Sequence, residues 1–310
     1  MKINKTVIGS FPTRKGLTIE QAIREIVDLQ LKYGINIISD GEQRADMVEY
    51  FYQLKGLIRK PHGLGIESKV ESLENVREFV KLKDYYFVKD YLKKISREDV
   101  KVKVTITGPI TLGFSLALNG LGNYSSIRDL RIYEDTARAL NPIIEYISKL
   151  DCYIQIDEPS LSTRVMEANQ AIKFVNEALG KAKGNLIAHV CGALTKDVFD
   201  SLFNLNVNTL SLAFSGPEER RNINLLSKEL FEFKQLGFGC ISVLAMREEE
   251  VEEVSRIEER IDKMVEKLGI DKIGFYHPDC GLRSNTEKVA EKILENMSKA
   301  VSNYFFKKRI

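Results

Sequence analysis

The sequence alternates short β-type runs with longer amphipathic segments along almost its whole length. Helical spacing of apolar residues marks segments such as Ile19–Tyr33, Arg128–Leu150, Glu248–Leu268 and Thr286–Tyr304. The candidate strands between the helical segments are eight: Thr6–Phe11, Ile37–Gly41, Val102–Thr107, Tyr153–Ile156, Leu186–Val190, Thr209–Phe214, Gly239–Leu244 and Lys272–Tyr276. This alternation predicts a (β/α)8 barrel. A doubly wound open sheet is the main alternative, but no G-x-G-x-x-G follows the first strand.

One stretch departs from the regular alternation. Met47–Asp99 is too long for a single strand-to-helix step, so we expect an insertion after the second strand, formed by helices or a hairpin at the barrel mouth. No repeat, low-complexity tract or linker divides the chain. The sequence therefore predicts one domain over residues 1–310, in which residues 47–100 form the insertion.

Charge and cysteine content narrow the class of protein. The 46 basic and 44 acidic residues nearly cancel, which argues against nucleic acid or membrane as a partner. Four cysteines without a disulfide-like cluster are typical of a reducing compartment. No apolar stretch is long enough to span a bilayer, and the first residues lack a signal-peptide core. We therefore expect a cytoplasmic enzyme.

Polar or turn-forming residues stand at the ends of six predicted strands, and barrel active sites are built from those strand ends. Each segment has an ordinary explanation as a turn or a helix cap, but their joint placement indicates a catalytic mouth. The six segments are Gly9-Ser10-Phe11-Pro12, Asp40-Gly41-Glu42, Gly108-Pro109, Asp157-Glu158-Pro159, His189-Val190-Cys191-Gly192 and His277-Pro278-Asp279-Cys280.

Three of these residues have the chemistry of a metal site. His189 and Cys191 lie at i and i+2 in a strand, so their side chains point to the same side, and a second strand end can bring Cys280 to them. One imidazole and two thiolates suit zinc, and three protein ligands leave a position open for a substrate. The alternative is that these are ordinary buried strand residues. Cys152 and Cys240 are expected to be buried and unnecessary for metal binding.

Six motifs, in order along the chain, resemble the catalytic half of cobalamin-independent methionine synthase. The similarity runs from about Thr6 to Met297. It implies a barrel of the uroporphyrinogen-decarboxylase-like group in which zinc activates a thiol for methyl transfer. The family's second, N-terminal barrel has no counterpart in this sequence. In this respect the sequence resembles the short, single-barrel members found mainly in archaea and some bacteria. The motifs are Ile8-Gly-Ser-Phe-Pro12, Gly41-Glu42 with Asp46-Met-Val-Glu-Tyr-Phe51, Thr107-Gly-Pro-Ile-Thr111, Ile154-Gln-Ile-Asp-Glu-Pro159, His189-x-Cys191 and Pro278-Asp-Cys-Gly-Leu282.

The resemblance also implies how an amino-acid substrate binds. Homocysteine would place its thiol on the zinc and give methionine as product. Glu42 and Asp157 would bind its ammonium group, and the backbone and hydroxyl of Ile8, Gly9 and Ser10 would hold its carboxylate. The alternative for the two acidic residues is a helix cap or a structural ion pair.

The chain departs from the family pattern at three places. Ala213 stands where the family has a glutamate as fourth zinc ligand, Leu244 stands where it has a histidine acid, and the chain has no Trp for stacking a folate, although Phe114 and Ser115 lie near that place. A fourth ligand would have to come from Glu218, Glu219, His277 or water. The two glutamates also fit a solvated helix start, and His277 fits either a group behind the ligands or an ordinary strand end.

These departures bear on the methyl donor. The tertiary amine of methyltetrahydrofolate must be protonated before it releases its methyl group. In a methyl-corrinoid the leaving group is cobalt(I), which needs no protonation. We therefore expect a methyl-corrinoid donor, either methylcobalamin or a corrinoid protein that docks at a mouth shaped by Met47–Asp99. The alternatives are a folate-dependent methionine synthase, a zinc-thiol alkyltransferase of the coenzyme M type, and a non-catalytic homologue that binds homocysteine or methionine.

Overall fold

The computed structural model describes residues 3–163 and 165–308, and these form an α/β barrel. Seven parallel strands are arranged in the order β1-β4-β5-β6-β7-β8-β9, and β2 pairs with β3 as a separate antiparallel hairpin. The strands are β1 Ile37–Ile38, β2 Lys55–Lys60, β3 Gly63–Glu71, β4 Lys101–Thr107, β5 Tyr153–Asp157, β6 Asn185–Val190, β7 Thr209–Ala213, β8 Gln235–Ile241 and β9 Ile273–Pro278.

The eighth position of the barrel is filled by the start of the described chain. Lys5 forms a parallel bridge with Tyr276 in β9, and Thr6 forms one with Ile37 in β1, so this segment joins the two edges of the sheet. The Thr6 amide donates to the Tyr276 carbonyl at 2.9 Å, and the Ile37 amide donates to the Lys5 carbonyl at 3.2 Å. The prediction of a (β/α)8 barrel is confirmed.

The first predicted strand, Thr6–Phe11, is shorter than expected. Strand pairing ends at Thr6 because the next carbonyl groups accept hydrogen bonds from side chains. Gln155 Nε2 donates to the Ile8 carbonyl at 2.9 Å, and Ser39 Oγ donates to the Gly9 carbonyl at 2.8 Å. The segment Ile8–Ser10 is therefore free of ladder hydrogen bonds at the mouth of the barrel.

Two other predicted strands need correction. The strand expected at Ile37–Gly41 ends at Ile38, because the Ser39 amide bonds to Gln30 Oε1 instead of a neighbouring strand. The strand expected at Gly239–Leu244 is β8, which begins and ends earlier, at Gln235 and Ile241. Beyond Ile241 the Ser242 amide bonds to Glu252 Oε2, which removes it from the ladder. The other five predicted strands agree with the structure within two residues at each end.

Helices surround the sheet and cover it with their apolar faces. Helix α1 begins with a capping box in which the Thr18 hydroxyl accepts from the Gln21 amide, and its buried face packs toward the sheet. Every helix among the described residues is too short or too polar to cross a bilayer. The helices are α1 Ile19–Lys32, α2 Val80–Lys94, α3 Pro109–Asn119, α4 Leu130–Ile147, α5 Ala168–Leu179, α6 Lys196–Leu202, α7 Glu219–Leu225, α8 Val254–Leu268 and α9 Glu287–Lys308.

The long segment after β1 has two parts with different positions. The hairpin of β2 and β3 packs against α3 and α4, and a bridge between Ile66 and Leu121 fixes it there. Helix α2 follows and packs against α1 and β4, where a regular barrel helix belongs. The irregular element after the first sheet strand is thus the hairpin, and α2 continues the βα pattern.

Candidate active site

A cavity of about 340 Å³ opens at the carboxyl ends of the barrel strands. Eight residues that the sequence singled out line this one cavity: Ile8, Gly9, Ser10, Glu42, Asp157, His189, Cys191 and Cys280. Within the described part of the chain, the β2–β3 hairpin contributes no lining residue, and from the stretch Met47–Asp99 only Met47 does. The cavity is therefore formed by strand ends and their loops.

His189, Cys191 and Cys280 converge in this cavity. One ligand atom from each lies within 4.8 Å of the others, as the two-residue spacing and the neighbouring strand end predict. His189 belongs to β6, Cys191 follows that strand directly, and Cys280 lies two residues beyond β9. Their role as metal ligands stays a prediction.

The chemistry of these three side chains fits a zinc ion. His189 Nε2 is buried and has no hydrogen-bond partner among the described residues, so its lone pair is available to a metal. The neighbouring Cys191 thiol and the nearby His189 lower the pKa of Cys280, whereas the pKa of Cys191 is raised. One thiolate is thus favoured before a cation binds, and a dication would favour the second.

The candidates for a fourth ligand lie elsewhere. Glu219 begins α7 and accepts from Arg256 Nη2 and Arg260 Nη2, each at 2.9 Å, so its charge is already compensated and it does not join the converging ligand atoms. Glu218 is half-buried in the turn before α7, outside the group of converging ligand atoms. Ala213 is buried at the end of β7, where its methyl group offers no ligand atom.

His277 lies behind the three candidate ligands. Its Nε2 is 3.0 Å from Ser211 Oγ, and Ser211 Oγ is in turn 3.0 Å from His189 Nδ1. His277 is completely buried, and burial together with the nearby His189 lowers its pKa to about 3. Burial therefore favours its neutral imidazole. Ser211 lies between His277 and His189, and His277 does not join the converging ligand atoms.

Glu42 reaches the cavity from an unusual backbone turn. Its φ of 52° is in the left-handed region, and its amide donates to Asp40 Oδ1 at 3.0 Å. Its Oε1 accepts from Lys81 Nζ and from Thr105 Oγ1, each at 2.7 Å. Burial disfavours the charged form, but Lys81 outweighs it and the pKa of Glu42 is lowered. Since both bonds use Oε1, Oε2 is left for a ligand.

Asp157 is held by a neutral neighbour instead of a cation. Gln155 Nε2 donates to Asp157 Oδ1 at 2.6 Å, and Gln155 Oε1 accepts from Lys103 Nζ at 2.6 Å. Burial raises the pKa of Asp157 to about 7, although the nearby His189 opposes the shift. Asp157 pairs with His189 across β5 and β6, so the acid lies directly beside the candidate metal site.

Sequence reasoning missed five polar residues that support the site: Lys81, Lys103, Thr105, Gln155 and Ser211. Four of them lie on barrel strands, and on β4 a polar residue alternates with an apolar one from Lys101 to Thr107. Alternate strand residues face the same side of a sheet. In a strand covered on both faces, that alternation was the available signal for inward-facing polar groups.

Comparison with known proteins identifies the family. Residues 3–303 match the family described as cobalamin-independent synthase, catalytic domain. The chain is 35% identical to the methionine synthase of Methanocaldococcus jannaschii, over 95% of this chain and 97% of that protein. It is 31% identical to the methionine synthase of Methanothermobacter marburgensis, over 96% and 92% of the two chains.

A solved structure shares the fold. The B12-independent methionine synthase from Shewanella sp. W3-18-1, solved in complex with selenomethionine, superposes with a TM-score of 0.79 at 20% identity, covering 100% of this chain and 99% of the other. The likeness supports the same barrel architecture over the full length. The family match and the curated relatives show that this chain is a methyltransferase belonging to the cobalamin-independent methionine synthase family.

Proposed function

We propose that this protein transfers a methyl group to the thiol of homocysteine, giving methionine, with zinc held by His189, Cys191 and Cys280. The observation that carries the proposal is that these three side chains line the same cavity as the acidic residues Glu42 and Asp157. A thiol-activating centre thus lies next to groups that recognise an ammonium. The relatives in Methanocaldococcus and Methanothermobacter, both described as methionine synthases, support the same activity.

Different residues of the cavity would activate the thiol of the substrate and bind its ammonium and carboxylate groups. Bound zinc supplies deprotonation of the substrate thiol, which makes the sulfur nucleophilic. Among the described residues the hydrogen-bond partner of Asp157 is the neutral Gln155, so an ammonium beside Asp157 would hold it as a carboxylate. Glu42 contributes the second negative charge through Oε2. The backbone of Ile8–Ser10, kept out of the strand ladder, would bind the carboxylate.

Two other functions are disfavoured by the residues of the cavity, one by the acidic pair and the other by the proposed metal ligands. A coenzyme M-type alkyltransferase acts on a thiol that carries a sulfonate and no ammonium, which leaves Glu42 and Asp157 without a partner. A non-catalytic binder of homocysteine or methionine would not need three metal-ligating side chains with a free position. We propose a cytoplasmic location, because the proposed zinc site requires reduced cysteines.

Metal analysis tests the zinc site. The purified protein should contain about one zinc per chain, and Cys191→Ser and Cys280→Ser should each lose it while the far-UV circular dichroism stays unchanged. Cys152→Ser and Cys240→Ser are matched controls, because both thiols are buried away from the three ligands. Zinc content unchanged in the first two variants would refute the site. Zinc binding without methyl transfer from any donor would favour a binding protein.

For the donor, we propose a methyl-corrinoid, free or carried by a partner protein. The chain has three histidines, and none suits a general acid at the mouth: His189 is a proposed ligand, His277 is buried with a lowered pKa, and His62 is exposed in the hairpin turn. Leu244 is 63% exposed, and its side chain has no titratable proton to donate. Phe114 packs against the core and is not among the cavity-lining residues, so it offers no stacking surface there.

Methyltetrahydrofolate is the second candidate donor. The descriptions of the matched family and of the Shewanella enzyme as independent of cobalamin favour it. One assay with methylcobalamin and methyltetrahydrofolate at equal concentration and homocysteine in excess separates the two. We expect methionine from methylcobalamin. Turnover with the folate and none with any corrinoid would overturn the donor proposal and leave the zinc–thiol proposal intact.

A further inference from the structure

A chain of hydrogen bonds runs behind the proposed metal ligands, from His189 through Ser211 to His277. We propose that Ser211 and His277 are positioning residues that fix the tautomer and the ring orientation of His189, so that His189 Nε2 presents its lone pair to the metal. This inference rests on the proposed zinc site. It assigns a role to two side chains that line no part of the substrate cavity.

The direction of each hydrogen bond follows from the groups at the far end. His277 Nδ1 lies 2.7 Å from the Pro278 carbonyl oxygen, which can only accept, so Nδ1 carries the hydrogen. In the neutral imidazole, Nε2 is then an acceptor. The Ser211 hydroxyl, 3.0 Å away, therefore donates to it. The Ser211 oxygen keeps its lone pairs for another donor.

The hydrogen bonds at His189 determine its tautomer independently of those at His277. His189 Nδ1 lies 3.0 Å from Ser211 Oγ and 3.2 Å from the Ser211 carbonyl oxygen. Because a carbonyl only accepts, His189 Nδ1 must carry the hydrogen. His189 Nε2 is then unprotonated, and this buried nitrogen has no hydrogen-bond partner in the part of the chain that the structure describes. Both ends of the chain thus select the tautomer that a metal at Nε2 requires.

The strand order explains how His277 reaches Ser211. Ser211 lies on β7 and His277 on β9, with β8 between them. The β8 residues that pair with these positions are glycines: Gly237 is opposite Ser211, and Gly239 is opposite His277. A Cβ on Gly237 would lie 2.4 Å from Phe275 Cε2, so the space beside β8 is filled by side chains from β9. Because Gly237 and Gly239 have no side chains at these positions of β8, the two polar groups can meet inside the barrel.

This arrangement has a consequence for metal affinity. Groups that hold the second nitrogen of a metal-binding histidine keep the ring oriented, and their loss weakens metal binding by about 10–100-fold. Ser211→Ala removes the hydroxyl but leaves the carbonyl bond to His189 Nδ1, and it adds no bulk to a completely buried position. We expect this variant to bind zinc about tenfold more weakly, with both cysteines unchanged. His277→Phe keeps a ring in the same space and should act in the same direction.

The test combines zinc affinity with a spectroscopic measurement of the tautomer. Zinc affinity is measured by competition with a chromophoric chelator, with Ser201→Ala as control because that serine is also buried and hydrogen-bonded, within α6. Long-range 1H–15N spectra of the zinc-free protein report the ring nitrogens of its three histidines, and His62→Gln removes the exposed one for assignment. The wild-type His189 should be protonated at Nδ1, and Ser201→Ala should match wild type.

Each outcome separates this inference from the proposed function. A His189 protonated at Nε2 in the zinc-free wild type, or wild-type zinc affinity in both Ser211→Ala and His277→Phe, would overturn the role of the hydrogen-bonded chain. The zinc site itself would stand in that case. A wild-type protein without zinc, or a Cys280→Ser variant that keeps zinc, would instead refute the site on which the inference rests.

Discussion

Lys81 should be essential to stability because it is the buried counter-ion of Glu42. Its side chain is 2% exposed, and its ammonium lies 2.7 Å from Glu42 Oε1, 2.9 Å from Thr105 Oγ1 and 4.1 Å from the centre of the Tyr50 ring. With an effective dielectric constant of about 20, a charge pair at this distance attracts by about 6 kcal/mol. Lys81→Met removes this attraction and leaves Glu42 as a buried charge without its partner.

Part of that attraction offsets the desolvation of the two charges, so the net loss is smaller than the Coulomb value. Removing one partner of a buried ion pair costs about 3–5 kcal/mol, which is the destabilisation we expect for Lys81→Met in urea unfolding. Lys83→Met is the matched control, because Lys83 lies exposed on the same helix, and it should change stability by about 0.5 kcal/mol or less.

A double-mutant cycle isolates the pair. Adding Glu42→Gln to Lys81→Met replaces the carboxylate that has lost its counter-ion with a neutral amide of similar size. The double variant should therefore be more stable than Lys81→Met alone, by about 1 kcal/mol or more. Additive effects of the two substitutions, or a Lys81→Met variant as stable as Lys83→Met, would refute the view that Lys81 neutralises Glu42 in the folded protein.

Three further predictions follow from the site and its surroundings. Glu42→Gln should weaken homocysteine binding by about 1.5–3 kcal/mol in calorimetry with zinc retained, and equal affinity for a thiol lacking the amino group would contradict the assignment. Arg260→Met should lower the free energy of unfolding by about 3–5 kcal/mol, because Glu219 and Glu252 lose their buried partner, without changing zinc content. Removing zinc with a chelator should abolish methyl transfer but leave the circular dichroism unchanged; loss of helical signal would indicate a structural metal.

The architecture was predictable because it depends on local and periodic patterns. A run of β-type residues followed by a helix with an apolar face recurs along the chain, and only the barrel and the open sheet satisfy that alternation. The carboxyl ends of parallel strands meet at one face in both, so polar residues at six strand ends had to lie together. His189 and Cys191 could be placed on one side from their two-residue spacing alone.

The tertiary structure decided which partner each side chain has. Glu219 looked like a ligand candidate in the sequence, but the fold brings Arg256 and Arg260 to it from α8, more than thirty residues away. Lys81 lies on α2, and nothing near it in the sequence indicates that its ammonium is buried against Glu42.

The same holds for the group behind His189. In the sequence, Ser211 is an ordinary residue of an apolar strand. In the fold, His277 reaches it from β9 because β8 has glycine at the two paired positions. Periodicity determines which face a residue occupies, but it determines neither the partner of a group on that face nor the distance between two such groups. Those depend on strand order and on the size of the side chains between them, which are set only when the barrel closes.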